Sequence, residues 1–423
     1  MKILSITAQK PHSTGSGTYM TELVKAFARM GHSQAVVCGI FPSDSVDFPE
    51  GVACYPVFFS EKVSAAAESY LTAPCKAEKS PLGALPFPVV GMSDIMPYES
   101  TRYRDLTPSM VSQFEDAFVS AVSRAVEDLD PDLIICHHLF LLTAIVKKHF
   151  PDRKILGISH GTDLRQMRNC DGLRDMVLPL IRGIDMALAL HDEQRRQIID
   201  IFGMDESKVA VIGSSYNDKL FNTEGRAARK SGDPVRICYA GKISRPKGVP
   251  EMLAALSKLA ADADACPFEL TMAGGCQDEV LKSYLDSLPD NVTWLGQIPQ
   301  PALAELLRRT DIFVLPSYYE GLPLVLIEAM ASGAVPVSTG LPGVRDWIDA
   351  HVGGSNAVYI PMPQMKSIDE PTDAGRDAFV DDLYSVLKSV ISDVYEGRIP
   401  GALPDTSGIT WDGLAKTVLA LCS

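Results

Sequence analysis

The chain has 423 residues, 46% hydrophobic, 22% charged and 7% aromatic, material for two or three globular domains and not for a disordered, collagen-like or disulfide-stapled protein. Its 39 Lys+Arg against 53 Asp+Glu give a net charge of −14. That argues against broad nucleic-acid binding, which needs many phosphate-neutralising cations, but not against one local basic pocket for a small anion.

In chain order, short apolar runs alternate with helical patterns. The strand candidates of the first half are 2–7, 35–40, 132–138, 154–160, 185–190 and 209–213; those of the second half are 236–241, 268–274, 292–296, 311–317 and 334–339. Most are solidly apolar, as in parallel strands covered on both faces. Periodic stretches at 18–31, 114–128, 250–262, 278–288, 300–309, 322–332 and 377–394 predict helices between them. The alternation predicts an open α/β architecture of two doubly wound, Rossmann-like domains. The first spans 1–212, with a Pro/Ser/Ala-rich insertion at 55–110. A polar hinge covers 213–234, the second domain covers 235–400, and a helix within 401–423 is a candidate for packing back on the first domain.

Ligands of such sheets sit at the carboxyl ends of strands, so the polar residues there carry the chemistry. Gly15 and Gly17, after the first strand, let a ligand approach the backbone, and Thr18 is placed to cap the helix that follows. His137 and His138 end the strand DLIICHH; His137 is favoured by register, with His138 close behind. His160 and Asp163 follow the next strand and are candidates to line an acceptor site. In the second half, Lys242, Arg245 and Lys247 cluster at a strand-to-helix turn, suited to a pyrophosphate that gains charge on leaving. Glu320 and Glu328, eight residues apart after another strand, are expected on one helix face two turns apart. Between them Gly321, Leu322 and Pro323 open the helix, where free backbone N–H groups favour an anion. No HExxH motif, His/Cys cluster or well-placed DxD appears, so no metal site is expected.

GKISRPKG (241–248), MAGG (272–275), WLGQI (294–298) and LPSYYEGLPLVLIEAMASGAVPVSTGLPG (315–343) occur in that order. Together they resemble the nucleotide-sugar half of retaining glycosyltransferases of the GT-B fold, the glycosyltransferase family 4 group. The resemblance implies two Rossmann-like domains facing across a cleft, a donor site mostly in the second, an acceptor site mostly in the first, and no cofactor or metal. It implies that Lys242 and Lys247 bind the donor phosphates, Glu328 the ribose, Glu320 the transferred sugar, and the Ile298 backbone the base. The Gly15/Gly17 loop would lie near donor phosphate and acceptor, and His137 would reach the reacting sugar. The family usually has Arg where this chain has Lys242.

The function expected is retaining transfer of a sugar from a nucleoside-diphosphate sugar to an acceptor hydroxyl on a glycan, a lipid-linked molecule or a small molecule, in cell-surface glycan or glycolipid synthesis. The alternatives are a sugar-nucleotide epimerase or hydrolase of the same fold, and a non-catalytic sugar-nucleotide-binding protein. Nine scattered cysteines with no CxxC pair read as reduced thiols. The early chain lacks a signal-peptide pattern, and no run of ~20 residues is free of charge. The expected compartment is the cytosol. Arg165, Arg168 and Arg174, interleaved with Leu164, Met167, Leu173, Met176 and Val177, suggest peripheral contact with anionic lipid at the inner membrane face.

Overall fold

The computed structural model describes residues 1–62, 83–94, 96–227, 229–399 and 403–422. These fall into two compact units, Met1–Ser214 with Trp411–Ser423, and Ser215–Thr410.

The first unit is built on a sheet of β1 (Lys2–Thr7), β2 (Ser33–Ile40), β3 (Ala53–Phe58), β6 (Leu133–His137), β7 (Ile155–Ile158), β8 (Met186–Ala189) and β9 (Val209–Val211). The order is β3-β2-β1-β6-β7-β8-β9, every pair parallel. Five of six residues of β1 and all of β6 are buried, the expected result for strands with helices on both faces. β4 (Val90–Gly91) and β5 (Thr101–Arg102) form a separate two-stranded pair.

The expected insertion at 55–110 begins too early. β3 is a full edge strand, paired along its length with β2. Its Pro56 breaks the strand pattern in the sequence, yet an edge tolerates proline, because one side of the backbone needs no partner. Just beyond it Phe59 is fully buried and packs against Phe87, Phe114 and Phe118 at ring-centroid distances of 5.9, 6.3 and 6.2 Å. Burying each such ring stabilises the unit by roughly 1.5–3 kcal/mol. Phe87, Val89, Val90 and Met92 are core residues, so this end of the segment is part of the unit's interior. Residues 63–82 of the expected insertion lie outside the described residues.

Helix Gly15–Arg29 starts three residues earlier than expected, and Thr14 caps it, not Thr18. The Thr14 side chain accepts from the Gly17 N–H at 3.1 Å, satisfying one of the open donors of the first turn. Helix Trp411–Ala420 belongs to the same unit. Arg29 and Asp412 form an ion pair between these two helices.

The second unit carries β10 (Val235–Ala240), β11 (Phe268–Ala273), β12 (Val292–Trp294), β13 (Ile312–Leu315), β14 (Val335–Thr339) and β15 (Val358–Ile360). The order is β12-β11-β10-β13-β14-β15, again all parallel. The polar stretch read as a hinge is largely anchored on this unit. Phe221 is fully buried. The Arg226 guanidinium donates to the Ser332 carbonyl at 2.9 Å and the Arg308 carbonyl at 3.2 Å. Arg229 donates to the carbonyls of Val394 and Tyr395, both at 2.9 Å.

Candidate active site

Each sheet reverses its strand order once, at β1/β6 and at β10/β13. The connections then leave the sheet in opposite directions and open a crevice at the carboxyl ends, the usual ligand position in doubly wound sheets. Most of the sequence candidates lie at these two places, with His160 at the next strand end, β7, and Ile298 after β12.

In the second unit, β10 runs into Gly241 and Lys242, and the turn Arg245–Lys247 leads into helix Val249–Ala260. β13 runs into Pro316, Ser317 and Glu320. Lys247 Nζ stands 2.7 Å from Glu320 Oε1 and 3.5 Å from the Tyr319 carbonyl. Ser317, fully buried, donates from Oγ to the same Glu320 Oε1 at 2.7 Å. One carboxylate oxygen thus receives two donors, and its orientation is fixed. Ser317 carries no motif signal beyond its place at a strand end, which is why sequence reasoning missed it.

Two glycines bring these loops together. At Gly248, φ is +63°, and an added Cβ would lie 2.1 Å from the Pro316 carbonyl oxygen, so only glycine lets the Lys247 turn close on the β13 loop. At Gly274, φ is +142°, and a Cβ would lie 1.7 Å from the Gly241 carbonyl oxygen. Tyr239, fully buried, donates from its hydroxyl to the Lys242 carbonyl at 2.6 Å, which braces the same turn. Burial, with the Glu320 carboxylate nearby, pushes its phenol well above the ordinary value, so the donor proton stays in place.

Two expectations about the segment after β13 need correction. Glu320 and Glu328 do not share a helix face, because helix Leu324–Ala331 starts only after Pro323. Gly321, Leu322 and Pro323 therefore form the loop that precedes the helix. Glu328 is buried on the helix, and Glu320 sits in the loop on its Lys247 and Ser317 contacts. Arg245 pairs with Asp278 at 3.2 Å, the residue that caps helix Glu279–Leu285. Ile298 is partly exposed in the loop after β12.

In the first unit, the β6 end carries His137 and His138, and the β7 end carries His160. His137 and His138 are 3% and 5% exposed, whereas His160 is only partly buried. His137 Nδ1 and His160 Nε2 lie 3.1 Å apart, and the rings meet edge to edge, with centroids 5.4 Å apart and planes within 13° of each other. Nε2 of both His137 and His138 is enclosed without a hydrogen-bond partner among the described residues. Burial, then the neighbouring His138, pushes His137 down to about 3. Burial pushes His138 down and, with His138 and His137 beside it, His160 well down. All three are neutral imidazoles at neutral pH. His137 is thus the buried member of the pair, and His160 is the more exposed of the three.

His138 has φ +77°, a conformation costing a non-glycine residue of order 1–3 kcal/mol. It is held by its N–H on the Ile158 carbonyl at 2.8 Å and by Thr143 Oγ1 on its own carbonyl at 2.5 Å. Tyr19 meets the His160 ring edge-on at 5.1 Å and is met in turn by Trp411 at 5.0 Å. Neither aromatic was a sequence candidate. Asp163, expected to line an acceptor site, is fully buried. It accepts from the Leu139 N–H at 2.7 Å and from Ser159 Oγ at 2.9 Å, tying the two strand ends together. Gly17 is buried and Gly15 exposed, both in the first turn of their helix.

The basic stretch suggested for lipid contact places Leu164, Met167, Leu173 and Val177 in the core, so its apolar side faces the interior. Among the described residues no helix is long and apolar enough to cross a membrane, and no group of three or more His, Cys, Asp or Glu could hold a metal ion.

A sequence profile described as glycosyl transferase 4-like domain matches residues 14–214, and one described as glycosyl transferases group 1 matches 221–371. The chain is 28% identical over 185 residues to the D-inositol 3-phosphate glycosyltransferase of Thermomonospora curvata, covering 38% of this chain and 43% of the relative. Across the curated relatives compared, the chain spans 40% to 59% of their length. The fold is similar to that of sucrose-phosphate synthase from Thermosynechococcus elongatus, with a TM-score of 0.67 at 16% identity over 99% of this chain and 98% of that one. It is also similar to the catalytic domain of starch synthase IV from Arabidopsis thaliana bound to ADP and acarbose, with a TM-score of 0.59 at 13% identity over 100% and 98%. Carrying one profile in each unit on this pair of parallel sheets, the chain belongs to the GT-B glycosyltransferases of the group 1, 4-like type.

Proposed function

We propose that the chain transfers a sugar from a nucleoside-diphosphate sugar to an acceptor hydroxyl with retained anomeric configuration. The observation that carries this reading is the Lys247–Glu320 pair at the β10/β13 reversal, 2.7 Å apart. An ammonium and an oriented carboxylate there match the two ends of a sugar diphosphate. Lys242, Lys247 and the N–H groups at the start of helix Leu324–Ala331 offset the charge that builds on the diphosphate as its bond to the anomeric carbon breaks. Glu320 accepts from hydroxyls of the transferred sugar, and Glu328 from the ribose. The acceptor oxygen bonds to the anomeric carbon from the face the diphosphate leaves, and its proton passes to the departing phosphate oxygen. No cofactor or metal takes part. A trapped glycosyl-enzyme would contradict this route.

The first unit takes the acceptor, with His160 at its strand-end cluster as a hydrogen-bonding group. The relative from Thermomonospora curvata is named for an inositol phosphate acceptor, so phosphorylated polyols and sugars are the first class to assay, ahead of glycan and lipid-linked acceptors of the cell surface.

The test is a thermal-shift screen against UDP-, GDP-, ADP- and TDP-sugars, followed by transfer assays with the donor that binds. Ligand at ~100 times its dissociation constant adds about 2.7 kcal/mol of stability. Donor turnover without an acceptor would favour a hydrolase or epimerase, and binding without turnover a non-catalytic protein.

A further inference from the structure

We propose that His137 is a positioning residue that fixes the tautomer of His160, so that His160 presents its Nδ1–H as a hydrogen-bond donor to a ligand oxygen. The argument starts at His137 Nε2, which is enclosed and has no hydrogen-bond partner among the described residues. An orphaned buried N–H is rarer in folded proteins than an under-satisfied acceptor, so the proton of the neutral ring belongs on Nδ1. Nδ1 faces His160 Nε2 at 3.1 Å. Donation in that direction obliges His160 Nε2 to accept, and a neutral imidazole that accepts at Nε2 carries its own proton on Nδ1.

The surroundings keep this arrangement from rotating away. The two ring planes lie within 13° of each other, as an in-plane N–H···N bond requires, and Tyr19 packs edge-on against His160 at 78°. The His138 ring lies 4.8 Å from His160 at 57°, while His160 keeps part of its surface exposed. Burial holds both members of the pair neutral. The sequence presents His137 and His160 as two separate candidates, 23 residues apart. The structure makes them one relay, with the proton polarity set by the buried end. The inference rests on the proposed function only for the ligand, whose oxygen would be a sugar or polyol hydroxyl.

Nitrogen NMR of the full chain with labelled histidine reads each tautomer directly, without ligand or turnover. His160→Asn and His137→Asn spectra assign the two rings. The wild-type spectrum is expected to show a protonated Nδ1 and a bare Nε2 in both. In His137→Asn the side-chain amide still donates from the Nδ1 position, and His160 is expected to keep its single tautomer. In His137→Ala the donor is gone, and the His160 signal is expected to lose that single form. A proton on His160 Nε2 in the wild type overturns the inference, as does an unchanged His160 spectrum in folded His137→Ala. Should His137→Ala fail to fold, the wild-type spectrum decides alone. Absent glycosyl transfer with the expected tautomers would count against the proposed function and leave this inference standing.

Discussion

Gly248 and Pro316 come together so tightly that no side chain fits between them: a Cβ on Gly248 would stand 2.1 Å from the Pro316 carbonyl oxygen, and φ there is +63°. This contact brings the loops of two separate strands close enough for Lys247 to reach Glu320. Gly248→Ala is therefore expected to cost about 1–3 kcal/mol from the backbone conformation alone, and more from the clash. Urea denaturation measures the loss. A stability equal to wild type would mean that the loops are free to separate.

Removing the ammonium separates ligand binding from folding. The Lys247–Glu320 pair is partly solvated, with side chains 25% and 16% exposed, and pairs of this kind contribute roughly 0–1 kcal/mol to stability. Lys247→Met is thus expected to melt close to wild type and to lose most of the thermal shift produced by a nucleoside-diphosphate sugar. A retained shift would move the diphosphate site elsewhere.

Ser317 has a narrower effect. Its hydroxyl is one of two donors to Glu320 Oε1, at 2.7 Å. Ser317→Ala leaves Lys247 as the remaining donor and frees the carboxylate to change rotamer. Hydrogen bonds to charged groups are worth about 1.5–3 kcal/mol; if that much is lost in the transition state, kcat/KM falls roughly tenfold to a hundredfold. Steady-state kinetics with a saturating acceptor checks it, and Ser317→Thr, which restores a hydroxyl, is expected to recover part of the loss.

Asp163 gives the opposite pattern. Its carboxylate is fully buried on the Leu139 N–H and Ser159 Oγ. Asp163→Ala strands both donors and is expected to destabilise the first unit by about 2–5 kcal/mol. Acceptor KM in whatever folded protein remains is expected to stay near wild type. A raised KM at unchanged stability would return Asp163 to the acceptor site.

Acid should unfold the first unit through His137. Burial and His138 push its folded value down to about 3, against an ordinary 6.5 in the unfolded chain. The unfolded state binds the proton first, so stability is full above about 6.5 and falls as pH drops from there toward 3. The slope from this one group is at most ~1.4 kcal/mol per pH unit. Urea midpoints between pH 7 and pH 4 measure it, and His137→Asn is expected to flatten the decline.

Most of the parallel sheet was legible because both faces of its strands are covered, and a continuous apolar run such as 2–7 or 133–137 has no other use. β3 was not legible, since an edge strand is covered on fewer sides and Pro56 interrupts its pattern. The start of helix Gly15–Arg29 was misplaced because two glycines look like a loop; the Thr14 cap and the tight approach of Gly17 to the Lys10 carbonyl decide otherwise. The site residues were legible by type and strand end, but their depth was not. Whether His137 or His160 is the outer ring depends on what packs over it, and Tyr19 and Trp411 come from distant stretches of the chain.

The return of helix Trp411–Ala420 to the first unit sets an order of assembly on the ribosome. Trp411 supports Tyr19, which holds the His160 ring, yet it emerges almost four hundred residues later, after every strand of the second unit has been synthesised. The lobe translated first is thus completed last, and a nascent chain stalled before Trp411 would hold a first unit still missing its final helix.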